Sequence, residues 1–513
     1  MRDWSDLPPS WTVASLESLA QINPRVVAFP ESDASPVHFV PMRAVTEEFG
    51  GIDVSERRTF GKVKKGYTAF QAADVLFAKI TPCMENGKLA LVPPLDDGVG
   101  FGSTEFHVVR AGADLAPKWL AHFLSQAEFR KFARRHMTGT AGQLRVSTSW
   151  LLGTRLPVAP AAEQTRIVDK LEELLSHLDA GVAELKAAQK KLAQYRQSLL
   201  KAAVEGRLTE AWRAKHGEPE ESGTQLLARI LRERRARWEA KQLAKFEAQG
   251  KAPLKGWQEK YAEPATPNPV EPGELPLGWV WASIEQLTLE QKYGTSAKTD
   301  EIDSGVPVIR MGNIQDGELN LVKLKYLPTE HDEFPELFLS DGDLLFNRTN
   351  SPELVGKSAV YRAQISPCSY ASYLIAIRFS PSVVPELAAA YINSGYGRQW
   401  VKSVVTQQVG QANVNGTKLA ALAIPLPPIK EQTEILRLFA EQRALAAEQS
   451  ANVAHALRQS AAQRKNILQA AFSGRLVPQD PNDEPASVLL ARIRAERAAS
   501  GATRVRRGRQ AKT

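Results

Sequence analysis

Cysteine is almost missing from this chain: its 513 residues hold two, Cys83 and Cys368, far apart and without neighbouring His or Cys. That excludes a disulfide framework and a zinc centre, and it suits a reducing compartment. Long apolar runs are missing as well. No stretch approaches the roughly 18 uninterrupted apolar residues of a membrane span. The opening MRDWSDLPPSW lacks the apolar core of an export signal, so a cytoplasmic protein with no membrane contact is expected. Catalytic signatures are the third absence. Gly356-Lys357-Ser358 ends like a phosphate loop, but Ser351 stands where its first glycine belongs. The Gly-rich dinucleotide fingerprint, His-Glu-x-x-His, the Gly-x-Ser-x-Gly elbow and the Asn/Asp-Pro-Pro-Tyr/Phe box of amino-methyltransferases do not occur, and the eight histidines are scattered. No catalytic residue, no metal and no bound cofactor is therefore expected. What is present, 43% hydrophobic and 24% charged residues, describes a globular chain long enough for three or four structural units.

The net charge of +8 is not spread evenly. Residues 1–150 carry 17 basic and 16 acidic side chains, and residues 269–423 carry 12 and 17. The excess sits in two short stretches, 226–268 with 10 and 5, and 491–513 with 8 and 1. Both begin with the same letters, LLARI, at Leu226 and Leu489.

Sliding the sequence against itself shows why. It repeats at an offset of 268 or 269 residues, far longer than the unit of about 20–50 residues in a solenoid, so a two-part module is duplicated. LPPSWTVASLESL at 7–19 aligns with LPLGWVWASIEQL at 275–287, and ADVLFAKITPCMENGKLALV from Ala73 aligns with GDLLFNRTNSPELVGKSAVY from Gly342. AGQLRVS from Ala141 lies over VGQANVN from Val409, LPVAPAAEQTRIV from Leu156 over IPLPPIKEQTEIL from Ile424, and RQSLLKAAVEGRL from Arg196 over RKNILQAAFSGRL from Arg464.

In each module the first part reads as mixed α/β. Short β-rich runs at 75–77, 344–346 and 373–377 are bounded by turn residues, and helical patterns occupy 119–132 and 387–401. The second part is a long helix. From Glu163 to Leu208 there is no proline, and apolar residues recur at a spacing of about 3.5. One seam is Leu171, Leu178, Leu185, Leu192 and Leu199; the other is Ile167, Leu174, Gly181, Ala188, Tyr195 and Ala202. The second copy, from Glu431 to Leu476, has a weaker seam of Ile435, Phe439, Ala446, Val453, Ala456, Ile467 and Ala470, interrupted by Gln442, Gln449, Ser460 and Gln463. The two helices are expected to pair with each other.

Breakers then set the expected boundaries: a first mixed domain at 1–160, a long helix at 161–208, a basic helical extension and Pro-rich linker at 209–268, a second mixed domain at 269–427, a second long helix at 428–476 and a basic tail at 477–513. The fold class expected is α+β, two mixed domains joined by two long antiparallel coiled-coil helices in a pseudo-two-fold repeat. The stretch 224–250 reads as a further basic helix, either simply solvated or engaged with phosphates or a partner chain.

In place of catalytic groups, each module repeats a polar loop beside basic residues. Module one offers Lys79, Thr81, Asn86 and Lys88 after a strand, and Thr138, Thr140, Gln143 and Arg145 in MTGTAGQLR; module two offers Asn347, Arg348, Asn350 and Lys357, then Gln407, Gln408, Gln411 and Asn413. Arg, Lys, Asn and Gln can bond base edges in pairs, each good pair discriminating by about 1–3 kcal/mol, whereas the plain alternative is turn and strand-end chemistry. Scaffold letters recur (Asp74 and Asp343, Gly87 and Gly356, Lys88 and Lys357, Gly142 and Gly410) while the polar letters between them differ. That pattern suits two similar domains that read two different sequences.

With FAKITPCMENGK, FGSTEFHVVR and MTGTAGQLR in one half, VIRMGNIQDGEL and DLLFNRTNS in the other, and an EQxxI-headed helix closing on Gly-Arg-Leu in both, the chain resembles the specificity subunit of type I restriction-modification systems. The resemblance spans nearly the whole length. It implies target-recognition domains that each read half of a bipartite, asymmetric site in double-stranded DNA, with the helices fixing the gap. It further implies two methyltransferase subunits that bind S-adenosylmethionine, and endonuclease/translocase subunits that use ATP and Mg, so that the chain is not an enzyme by itself. A coiled-coil adaptor that binds only protein is the competing reading, favoured by the low net charge of both mixed domains. A fused enzyme is disfavoured, because no stretch of suitable length lies outside the repeat.

Overall fold

The computed structural model describes residues 4–26, 29–140, 142–253, 255–267, 273–302, 304–352, 354–408, 411–496 and 498, with the backbone alone for Gln407, Gln408 and Gln411. Part of the Pro-rich linker, Gly410 and most of the basic C-terminal arm lie outside the described residues. The chain forms two compact units, residues 1–186 with 454–513, and residues 187–453.

The duplication is visible strand by strand. In the first unit an antiparallel sheet runs in the order Ala20–Ile22, Phe106–Ala111, Val75–Ala78, Leu89–Leu91. The second unit repeats it as Thr288–Tyr293, Leu374–Phe379, Leu344–Asn347, Ser358–Val360. A second sheet joins each, of four strands in the first unit and three in the second, with one parallel pair, Pro36–Val40 on Gly100–Gly102 and Val306–Ile309 on Ser369–Tyr370. The repeated aspartates hold the main sheets together. Buried Asp74 accepts both Nε (2.7 Å) and Nη2 (2.6 Å) of Arg110, and buried Asp343 accepts the same pair from Arg378 at 2.8 and 2.7 Å. A forked guanidinium on a buried carboxylate supplies geometry as well as charge pairing.

The single helical patterns expected at 119–132 and 387–401 are each broken. Pro117–Ser125 is followed by Ala127–Arg135, and Pro385–Asn393 by Gly395–Val404. The helices start at proline, whose fixed φ suits a first turn, and the breaks fall at Gln126 (ψ 132°) and Ser394 (ψ 172°), which leave helical geometry.

The long helices are Ala161–Val204 and Ile429–Ala471. Neither belongs to one unit. The first-unit core contains Ile167, Leu171 and Leu175 from the start of the first helix, and also Leu468, Ala471 and Phe472 from the end of the second. Phe472 packs on Trp119 and Phe123 with ring centroids 4.5 and 5.5 Å apart. Symmetrically, the second-unit cores take Leu200, Ala203 and Val204 together with Ile435 and Phe439. Within the first unit Arg166 bonds Asp483 and Asp179 bonds Arg464, and within the second Tyr195 bonds Gln442 and Thr209 bonds Glu431, so the strands of each helix pair run in opposite directions.

The seam residues are covered unevenly. Ile167, Leu171, Leu199, Ile435 and Ala446 are buried; Leu174, Leu178, Leu185, Leu192, Ala202, Phe439, Val453, Ala456, Ile467 and Ala470 are half-buried; Gly181 is exposed, and Tyr195 is 42% exposed. At the end of the second helix the buried register is Leu468 and Ala471, one residue beyond Ile467 and Ala470. A pair of helices alone leaves a flank of its apolar stripe uncovered, and full burial comes where a mixed domain closes over it.

The EQ letters that head each long helix are structural. Glu163 is buried and accepts the indole N–H of Trp11 at 2.9 Å, and Glu431 accepts that of Trp279 at 2.8 Å. Burial pushes the Glu163 carboxyl up. Gln164 accepts the backbone N–H of Ala116 (3.0 Å) and donates to Ala159 O (2.8 Å), and Gln432 does the same with Val384 N–H (2.8 Å) and Pro427 O (2.9 Å). Each glutamine thus ties the helix start to the start of the shorter helix beside it.

His122 is buried, with Phe49 edge-on at 5.2 Å, and neither ring nitrogen has a partner among the described residues. Burial lowers its pKa to about 4, against 6.5 in the unfolded chain. The depressed value means that His122 stays neutral in the fold while the unfolded chain takes up a proton, so stability is full above pH 6.5 and falls as pH drops toward 4, by about 3 kcal/mol in total. Urea denaturation at pH 7 and pH 4.5 is expected to show that acid loss in the native chain and a smaller one in His122→Phe. Equal losses would contradict it.

Candidate nucleic-acid interface

In module one the strand Val75–Ala78 continues past its sheet into a hairpin. Thr138–Thr140 pairs with Gln143–Arg145, and the second of these strands meets residues 79–81: Val146 N–H donates to Lys79 O (2.9 Å), Thr81 N–H to Leu144 O (3.0 Å), and Leu144 N–H to Thr81 Oγ1 (3.1 Å). Thr81 Oγ1 also donates to Gly142 O at 3.1 Å. Lys79, Thr81, Thr138, Thr140, Gln143 and Arg145 are therefore brought together, with Thr138, Thr140 and Gln143 exposed. Arg145 lies across Glu105, with Nη2 2.8 Å from Oε1 and Nε 3.0 Å from Oε2, and its Nη1 donates to Gln143 O at 3.2 Å. That hydrogen-bonded guanidinium holds the Glu105 carboxyl below its usual range.

Two residues expected in this set are taken up elsewhere. Asn86 is exposed but donates to Glu47 at 2.8 Å, and the Lys88 ammonium donates to Met42 O at 3.2 Å, so both fasten the 42–52 segment to the sheet. The segment is closed further by Arg130, which is buried and donates to Glu48 at 2.8 Å.

Module two builds the same frame with other letters. Thr406–Gln408 pairs with Gln411–Asn413, which pairs in turn with Thr349–Asn350. Val414 N–H donates to Arg348 O (2.9 Å) as Val146 does to Lys79 O, and Arg348 N–H donates to Tyr373 O (2.9 Å) as Lys79 N–H does to Glu105 O. Arg348 sits with its guanidinium 4.9 Å from the Tyr293 ring and donates Nη1 to Ser372 O at 3.3 Å. Asn413 donates to Thr349 Oγ1 at 2.8 Å. Asn350 accepts Ser351 N–H at 2.8 Å in a local turn, and Lys357 is half-buried on the return toward the next strand. Asn347 is fully buried and donates to Leu354 O at 3.3 Å, which places it in the packing and out of reach of a ligand. The side chains of Gln407, Gln408 and Gln411 lie outside the described residues.

Glu105 and Tyr373 are residues that the polar-loop pattern missed. They occupy the same position of the repeat, beside the hairpin base, and carry different chemistry, an acid paired to Arg145 in one copy and a phenol 49% exposed in the other. The register of the duplication was the signal that could have found them.

Two copies of one frame, each presenting a short polar hairpin of its own composition, define a two-domain recognition scaffold. A family model described as the type I restriction modification DNA specificity domain matches residues 278–444. The EcoEI specificity subunit of Escherichia coli is 27% identical over 482 residues, covering 84% of this chain and 77% of that protein, and the EcoAI specificity subunit of Escherichia coli is 27% identical over 480 residues with the same coverage. A solved chain, from work on complex assembly and conformational transition of the type I R-M system, superposes with a TM-score of 0.63 at 20% identity, over 92% of this chain and 99% of that one. Over most of its length the chain is thus similar to the specificity subunits of type I restriction-modification systems. Among the described residues no helix is long and apolar enough to cross a membrane.

Proposed function

We propose that the chain reads a bipartite, asymmetric site in double-stranded DNA, one half with each mixed domain, and directs partner subunits to it. The domains are those expected at 1–160 and 269–427, with the long helices setting the separation of the half-sites. Two methyltransferase subunits carrying S-adenosylmethionine modify adenine N6, and endonuclease/translocase subunits use ATP and Mg, all in the cytoplasm. The observation that carries this reading is the pair of equivalent hairpins flanked by unlike residues, Lys79, Glu105 and Arg145 in one copy against Arg348, Tyr373 and Asn413 in the other. An adaptor that binds only protein gives no particular reason for a kept hairpin frame to carry Arg145 in one copy and Asn413 in the other.

Selection from a random duplex pool by the chain co-purified with its methyltransferase subunits is expected to enrich two short, unlike motifs at fixed spacing. A pool that stays random while the subunits remain bound would favour the adaptor reading.

A further inference from the structure

The helix Gly223–Ala248 is the largest feature that the duplicated frame does not need. Its inner half is anchored. Ser222 and Gln225 form a capping box, Gly223, Leu226 and Ile230 are buried, and Arg229 bonds Glu221 and Ser382. Farther out, Arg234 donates to Tyr261 at 3.2 Å. The outer half is braced by the segment that follows it: Trp238 stacks on Trp257 at 5.9 Å and meets Tyr261 edge-on at 5.4 Å, and Phe246 meets Trp257 at 6.2 Å.

On this braced half Arg237, Lys241 and Lys245 follow one another at intervals of four residues, so they rise by about 6 Å each along one face. All three are exposed, as are Arg232, Lys251, Lys255 and Lys260. Among the described residues none of these seven cations has an ion-pair partner, whereas Glu233, Glu239 and Glu263 are matched to Arg229 and Arg235. Like charges four apart on a helix repel. The repulsion in such a row is weak, and a polyanion laid along it would turn it into attraction.

We propose that this face is a second, sequence-independent contact of the chain with the phosphate backbone of duplex DNA. The inference rests on the DNA-reading function above and adds a surface to it. The row spans about 12 Å, the length of duplex axis over which one strand presents three or four phosphates at about 3.4 Å of axis each. An acidic protein face is the poorer fit, because protein interfaces concentrate large apolar groups and are depleted in lysine. The one large apolar side chain exposed on this helix, Leu243, points about 160° away from Lys241.

The test uses the chain in complex with its methyltransferase subunits, with a duplex carrying its selected site and one without it. The triple variant Arg237→Gln, Lys241→Gln, Lys245→Gln is expected to lower the slope of log affinity against log salt by about three. Both duplexes should be weakened by the same factor, so that their ratio is kept. The charge-preserving Arg237→Lys, Lys241→Arg, Lys245→Arg should keep the slope, and circular dichroism checks that both variants retain the helix. An unchanged slope in the triple variant overturns the proposal, and loss of the methyltransferase subunits with an unchanged slope would assign the face to protein instead. A native complex that does not distinguish the two duplexes would refute the DNA-reading function itself, whatever the slope.

Discussion

Replacing Gln143 and Arg145 with alanine is expected to relax the sequence preference of one half-site by about 5- to 150-fold for each base pair they read, and to leave the other half-site as it was. The two side chains stand on one short strand beside Lys79, and Arg145 is aimed by Glu105 through two hydrogen bonds of 2.8 and 3.0 Å. An arginine oriented in this way keeps a fork for a guanine edge, and its loss removes discrimination more than overall affinity. Methylation rates on duplexes changed one base pair at a time read the effect directly. Uniform weakening on every duplex would make both residues backbone contacts. The module-two hairpin supplies the internal control, since Asn413→Ala should relax only the other half.

The second large effect concerns stability and falls on the unexpected domain. Gly474 closes the second long helix with φ +70°, and a Cβ there would lie 2.4 Å from Pro8 of the first unit, of which Gly474 is itself a part. Gly206 closes the first helix with φ +71°, and a Cβ would meet Pro276 at 2.7 Å and Trp279 at 2.9 Å in the second unit. Valine adds left-handed backbone strain of about 1–2 kcal/mol and overpacking of about 1–3 kcal/mol against prolines that cannot turn aside. Gly474→Val is therefore expected to destabilise the first mixed domain by about 2–5 kcal/mol, and Gly206→Val the second, although each glycine follows the other module in sequence. Hydrogen exchange resolved along the chain measures which core loses protection. Loss in the module that precedes each glycine would contradict the packing.

That exchange of helix ends marks the limit of what was legible in the sequence. Periodicity exposed the duplication, the long helices and their Gly-Arg-Leu turns, because each is a local or self-referential pattern. It could not tell which copy of a turn packs on which copy of Leu-Pro-x-x-Trp, since the repeat makes the two choices identical by letter. The choice becomes visible only in three-dimensional contacts such as Phe472 on Trp119. The same holds at the candidate interface. Asn347 reads as part of a polar loop but closes a buried strand, and Lys88 reads as a DNA-binding candidate while its ammonium holds a carbonyl of the 42–52 segment. Glu105 is not suggested by the polar-loop pattern because an acid does not point to DNA; only its pairing with Arg145 places it beside the hairpin. The basic helix at 223–248 was legible as an element, while its anchoring through Leu226 and Ile230, and the parallel docking of Leu489 and Ile493 in the first-unit core, required the fold.

If two equivalent domains read two different half-sites for partners that methylate them, the modified sites in a genome carry the record. Single-molecule methylation mapping in a host that carries the chain with its intact gene set tests this most directly. Methylated adenines are expected in one asymmetric motif of two short specific halves separated by a fixed run of unspecified bases. A continuous motif, two identical halves, or no methylation that depends on this chain would contradict it.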